Sequence, residues 1–450
     1  DHKAVVVSFA PPQFVHETPR WHCPTSFLED DKAISNVAEQ LSNLKGLSPS
    51  GWFSAAHRLI GRFATDYQKQ HRPPTTQDTN VLGLLLSSTR DRVSREGHAY
   101  LVTRGHHPVT ESSAYSILVA CYEKEVQDRT GSMHLQKLKG LLAEQEPSVK
   151  NQKERRVQID KLMVQLRNRK KLGWVRDKTG QTLSVPKDIA KALNEHWTGV
   201  TTPPPTTEAQ CEAYLKSLNI PDNLLSMAKL LFRPLSRELV KDALDRLNKQ
   251  SAPGKDGFST NIYLAFQDQF VDHMHDLVQE AFREGKLPNG WELGLINCIP
   301  KTAGPAAIDK LRPIALQDIK KKWFMTIIMC MVEDVITHMT HPQQVGCIKG
   351  RKMIRHIWGA KGGYDNMSSG IMISFDYSNA FPSLSHPFIR AALNLINLPD
   401  FIINVIMSTL VSPYHFCIGR GVERTESFHP RTGIGQGDPF SPLLFSFCAS

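Results

Sequence analysis

The residues best placed to do chemistry lie in Ile371-Met-Ile-Ser-Phe-Asp376-Tyr-Ser-Asn-Ala-Phe381. The apolar run from Ile371 to Phe375 predicts a buried strand ending in a carboxylate. A strand end is a rigid place to hold a metal-binding Asp, and the small residues after it admit another molecule closely. A core strand finishing in a turn Asp accounts for the same letters. The companions of this stretch further along the chain decide between the two readings.

Other metal chemistries are poorly supplied. Eight cysteines are scattered without a Cys-x-x-Cys spacing, so neither a zinc site nor a disulfide framework is implied, and a reducing intracellular compartment fits. The eighteen histidines show no ligand spacing. The formal net charge is +10 and the pI about 9.1, an excess that favours a polyanionic partner, nucleic acid before membrane surface. The longest apolar run, near Trp323 to Val332, falls short of the roughly 18 residues a membrane span needs, so no membrane is expected. At 40% hydrophobic residues the chain can build sizeable cores. Oligomeric state is left open.

The elements that must position the chemistry follow in order. Residues 1–12 begin with a strand-like run closed by Pro11-Pro12. Residues 13–200 read as mainly helical, with Glu29-Asp30-Asp31 at a helix start where negative charge meets the macrodipole. Between Tyr122 and Leu172 the sequence is highly charged and strongly one-signed. Arg155, Arg156, Arg167, Arg169, Lys170 and Lys171 there could neutralise a nucleic-acid backbone by counterion release, or form an ordinary solvated face. Trp174 to Val185 predicts a small hairpin turning at Asp177 to Gly180. Residues 201–207, with Pro203-Pro-Pro205, read as a stiff linker and a domain boundary. Residues 208–450 then carry a helix capped by Ser236, the breaker turn Ser251 to Gly257, strands at 293–299 and from Arg312, and a helix from about 319 to 339. Two further helices near 387–396 and 400–411, a hairpin from Tyr414 to His429 and a final helix entry complete the chain. Helices and strands without strict alternation predict an α+β fold.

These pieces together resemble the fingers and palm of a reverse transcriptase, specifically that of non-LTR (LINE-type) retrotransposons. Ala252-Pro-Gly-Lys-Asp-Gly257 resembles the family's A-P-G-x-D-G turn, and Ile299-Pro-Lys301 with Arg312-Pro-Ile314 its P-K … R-P-I element. Gln344-Val-Gly346 with Gly350-Arg351 is similar to its Q-x-G-F-R-x-G-R-S segment, although Cys347 stands for Phe and Lys352-Met353 for Ser-Thr. Phe375-Asp376 through Ala380-Phe381 resembles the first palm motif, and Gly435-Gln-Gly-Asp-Pro439 with Ser441-Pro442 and Leu444-Phe445 the family's last-helix entry. Each element alone is weak; five in family order between residues 252 and 445 are not. The resemblance implies right-hand polymerase fingers and a partial palm, preceded by a helical connector and, at Asp1-His2, the end of an endonuclease-like domain.

The resemblance also implies roles. Asp376 and the Tyr377 carbonyl would hold Mg2+, which neutralises and aligns the oxygens of a transferring phosphoryl group. Lys301 and Arg312 would grip the triphosphate, the Lys as a point charge and the Arg as a fork. Phe381 would reject a ribose 2′-hydroxyl sterically. Gln436 would contact the incoming nucleotide, and Gly437 would let template or nucleotide pass close to backbone. Asp438 is read as a turn former and left out of the site. Expected partners are an RNA template, a DNA primer or target and deoxynucleoside triphosphates, in the nucleus. The family's aromatic-x-Asp-Asp hairpin has no counterpart after Asp376, and both ends read as interruptions of a longer chain, so these 450 residues are expected not to polymerise alone. A non-catalytic nucleic-acid-binding remnant is the alternative.

Overall fold

The computed structural model describes residues 21–70, 172, 175–202, 206–218, 220–301, 307–367, 369–371, 373, 375–418 and 421–450. By contacts the chain divides into one unit of residues 1–68 with 171–450 and another of residues 69–170. Apart from residues 69 and 70, every described residue belongs to the first unit.

Helices α1 (Asp31–Ser42) and α2 (Pro49–Gln70) come first. Asp30 caps α1 as its charge predicts, its carboxylate accepting from the Lys32 and Ala33 amides. A small hairpin of β1 (Val175–Arg176) and β2 (Thr182–Leu183) turns where expected, with the Asp177 carboxylate accepting from the Thr179 and Gln181 amides at 2.9 Å. Helices α3 (Pro186–Val200), α4 (Glu208–Lys216), α5 (Asp222–Leu230), α6 (Arg237–Asp245), α7 (Thr260–Ala265) and α8 (Gln267–Glu284) follow. Ser236 caps α6 through the Leu239 amide, and Gly285, left-handed at φ +65°, ends α8. Strands β3 (Gly294–Pro300) and β4 (Leu311–Leu316) precede α9 (Ile319–Met339) and α10 (Met353–Asp365). Last come α11 (Ala380–Ser383), α12 (His386–Leu395), α13 (Asp400–Leu410), the hairpin β5 (Tyr414–Ile418) and β6 (Gly421–Phe428), and α14 (Ser441–Cys448).

The larger sheet runs β4-β3-β5-β6. β3 is antiparallel to β4, with Ile299 opposite Arg312, and parallel to β5, with Ile296 opposite Phe416. Two cores flank this arrangement. One is helical, built from α1, α2 and α6 to α9 with α12 to α14, around Trp52, Phe270 and Trp323. The other lies between the sheet and α3, where Ile189, Leu193 and Trp197 meet Ile296, Leu311 and Phe416.

Helix α3 lies before the Pro-rich stretch and α4 after it, and both belong to the same contact unit. Thr432 Oγ1 donates to the Thr201 carbonyl at 3.0 Å, fastening the stretch's start to the loop before α14. One expectation changes here, the predicted strand from Ile371 to Phe375. None of its described residues is in a strand, and Ile371 and Phe375 are 85% and 83% exposed. An apolar run becomes a strand only where a neighbouring strand takes its backbone groups, and no strand of the described sheet pairs with it.

Candidate active site

The free edge of β4 carries the best-formed part of the site. The Ala315 amide donates to the Gln436 carbonyl at 2.7 Å, and Gln436 bridges Ile314 in parallel register. Gly437 sits at φ +120°, and a Cβ there would come 2.5 Å from the Ala315 carbonyl oxygen. Any side chain would therefore push the loop off the strand. Arg312, three residues earlier on the same strand, is exposed, and so is Lys301, whose amide donates to the Lys310 carbonyl at 2.8 Å.

Phe381 joins this assembly from the other side. Its ring stacks on Phe445 of α14 (centroids 4.7 Å, planes 11° apart), and its carbonyl accepts from the Ile434 amide at 3.1 Å. Thr432 Oγ1 also reaches the Pro382 carbonyl at 2.9 Å. So the start of α11, the loop 432–438 and β4 are brought together. Asp376 and Tyr377 are not: both are exposed and outside any helix or strand, Tyr377 at 78%. Among the described residues no strand ends at Asp376, where one was expected to hold it rigidly. Arg155, Arg156, Arg167, Arg169, Lys170 and Lys171 lie outside the described residues. Among the described residues no group of three His, Cys, Asp or Glu side chains could hold a metal ion, and no helix is long and apolar enough to cross a membrane.

Asp438 is a turn former, as its sequence context predicts, but it is also buried. Its carboxylate accepts from the Phe440 amide at 2.8 Å, and burial pushes its carboxyl above the usual range against the pull of that bond and Lys321. Lys321 is buried in turn. Its ammonium donates to Ser412 Oγ at 3.0 Å, and desolvation, opposed by Asp438, Asp318 and Glu292, brings it down to about 8.

The breaker turn 251–257 is held by charges that sequence reading passed over. The Asp256 amide donates to the Asp318 carboxylate at 3.1 Å, and Lys320 Nζ lies 3.3 Å from Asp256 and 3.6 Å from Asp318. Burial and the neighbouring Asp318 push Asp256 up to about 6. A Cβ on Gly254 would strike the Asp318 backbone and carboxylate, which explains the glycine. Lys322 Nζ donates to Ser251 Oγ at 2.6 Å and to the Ala252 carbonyl at 3.3 Å. A signal was available: Lys320, Lys321 and Lys322 are consecutive on a helix, so they fan across some 200° and cannot share one solvated face.

The Gly350-Arg351 pair also has a structural explanation. The Arg351 guanidinium donates to the carbonyls of Thr337, Thr340, His341 and Gln344 at 2.6–3.0 Å, closing the C-terminus of α9. Cys347, where Phe was the expected residue, is exposed at φ +56°. On the upstream side, His57 Nε2 and Tyr263 Oη are 2.8 Å apart, a contact that ties α2 to α7, and desolvation with the nearby charge of Lys320 holds the histidine well below its usual range.

Residues 299–450 match the model of the reverse transcriptase (RNA-dependent DNA polymerase) family. The chain is 22% identical over 284 residues to a Xenopus laevis protein called transposon TX1 uncharacterized 149 kDa protein, covering 62% of this chain and 21% of that one. It is 25% identical over 223 residues to the retrovirus-related Pol polyprotein of a type-1 retrotransposable element R2 of Popillia japonica, covering 48% of this chain and 30% of the relative. Against the Pol polyprotein of the type-2 element R2DM of Drosophila melanogaster, identity is 25% over 207 residues, 45% of this chain and 19% of the relative. The matched part spans less than a third of each relative's length.

Proposed function

We propose that this chain, whose residues 299–450 form a reverse transcriptase domain and whose relatives are non-LTR retrotransposon proteins, contributes fingers and palm to an RNA-directed DNA polymerase. The observation that carries the reading is the docking of the Gln436-Gly437 loop on the edge of β4, the strand that bears Arg312. Such an edge offers a side-chain amide, a cation and unobstructed backbone to a nucleoside triphosphate, while Phe381 packs behind the same loop. On this reading Arg312 and Lys301 bind phosphate oxygens, Gln436 orients the nucleotide, and Phe381 limits the space beside its sugar. The partners are an RNA template, a DNA primer and deoxynucleoside triphosphates, and the expected compartment is the nucleus.

Magnesium would supply charge neutralisation and alignment of the reacting oxygens. Asp376 and the Tyr377 carbonyl fit an ion that completes its shell with substrate phosphates and waters, since magnesium uses few protein carboxylates. One carboxylate is nevertheless a thin supply for phosphoryl transfer, and no adjacent Asp-Asp follows Asp376 in these 450 residues. The 450-residue chain is therefore expected to bind nucleic acid without extending a primer. Primer extension on an RNA template, using the longest open reading frame that contains these residues, tests the assignment. Arg312→Ala and Gln436→Ala should each raise KM for the deoxynucleotide by roughly tenfold, one charged or polar contact's worth. An unchanged KM in both would remove the nucleotide from this edge. Binding of RNA without any incorporation would favour the non-catalytic remnant.

A further inference from the structure

We propose that Gln317 is a positioning residue for the nucleotide edge: its side-chain amide holds Asp438 of the 432–438 loop to Tyr414 of β5, and so sets where Gln436 stands. The inference rests on the polymerase reading for what Gln436 meets, and on packing alone for how the loop is held. Gln317 is the first residue after β4 and is 2% exposed. Both of its amide hydrogens are used, one given to the Asp438 carboxylate and one to the Tyr414 hydroxyl. Its side-chain oxygen, equally buried, has no partner among the described residues. A buried amide oxygen without a partner is costly, and a methionine or leucine of similar volume would avoid that cost. The glutamine is therefore explained by its donors, which join the two sides of the loop's seat.

The loop needs such a prop because packed atoms do not fill the space behind it. A cavity of about 60 Å3 lies there, bordered by Ile296, Ala315, Gln317, Tyr414, Gln436 and Asp438 among others. That volume is enough for water and for a loop with slack to sink into. On the β4 side the loop is gripped by main chain, through the bond from the Ala315 amide to the Gln436 carbonyl. Residues 435 and 437 are glycines, and a Cβ on Gly435 would stand 3.2 Å from the same Tyr414 hydroxyl that Gln317 engages. With Gln436 left for the nucleotide, Asp438 is the one side chain of residues 435–438 by which the protein can hold the loop. Its carboxylate joins the Phe440 amide at the entry to α14 and the Gln317 amide at the end of β4. Arg312 is placed by the strand and Gln436 by the loop, so slack between them weakens nucleotide binding and leaves Asp376 untouched. The signature is a raised KM with little change in kcat.

Two measurements test this, one of them independent of catalysis. Hydrogen exchange of the 450-residue chain, read by mass spectrometry, reports the loop itself. Gln317→Met and Tyr414→Phe should each speed exchange of the amides of Ala315 and residues 432–438 by about fivefold or more, with the interior of α9 unchanged. The KM for a deoxynucleotide on an RNA-templated primer, measured with the longer open reading frame, reports the consequence. Gln317→Met should raise KM about fivefold, keep kcat within about twofold and add little to Gln436→Ala. Tyr414→Phe keeps the ring in place and decides the matter should thermal melts find Gln317→Met unfolded. Unchanged loop exchange in the folded variants would overturn the inference. So would an unchanged KM in an active enzyme, or a Gln317→Met effect fully additive with that of Gln436→Ala. A parent that incorporates nothing would end the polymerase reading, and the exchange result would still decide what holds the loop.

Discussion

Helices α9 and α10 stand thirteen residues apart in sequence, between Met339 and Met353, and have opposite fates. Helix α9 is buried on nearly every side, and even Lys321 and Lys322 are inside, each with a partner oxygen. Helix α10 has no buried residue, and Met353, Ile357 and Trp358 are 64%, 55% and 67% exposed. Apolar side chains are plentiful in both. What separates them is whether other described elements surround the helix. Helix α9 packs against α5, α6 and α14, and its Trp323 indole donates to the Val240 carbonyl of α6 at 2.8 Å. The same contrast holds between loop 432–438, locked onto β4, and the exposed stretch around Asp376.

Substitutions on the two sides should differ by an order of magnitude. Trp323→Ala leaves a large void and an unpaired Val240 carbonyl, and urea unfolding should report a loss of about 3–5 kcal/mol. Lys321 provides a pH test. Because its folded pKa, about 8, lies below the ordinary 10.5, the unfolded chain binds more protons between those values, and stability should rise with pH across that window. Lys321→Met should flatten the rise, which is on the order of 3 kcal/mol. Arg351→Met strips four carbonyls of their shared donor, and chemical denaturation should find about 2 kcal/mol missing. Trp358→Ser, on α10, should change stability by less than about 0.5 kcal/mol. A Trp358 variant as damaging as Trp323→Ala would erase the distinction between the helices.

Much of this architecture was legible because local signals and packing agree. The 319–339 helix, the hairpin 414–428, the Asp30 and Ser236 caps and the Asp438 turn each have a side chain or periodicity that dictates them. The misreading has a physical cause. A strand at 371–375 depends on a pairing partner, which is not written in the local letters. Of the candidate residues that motifs singled out, Arg312, Gln436 and Gly437 share the edge of β4 while Phe381 packs behind the loop. The buried charges Asp318, Lys321 and Lys322, with the half-buried Asp256 and Lys320, were missed because a charged residue is read as solvated until three in a row make that geometrically impossible.

The most direct test is magnesium-dependent incorporation of a deoxynucleotide on an RNA-templated primer by the longer open reading frame, with and without Asp376→Asn. The parent should incorporate, and the variant should lose at least about a thousandfold in rate, as expected when a metal-binding carboxylate is removed from phosphoryl transfer. Incorporation that survives the substitution at a comparable rate would contradict the assignment of Asp376 to the reacting metal.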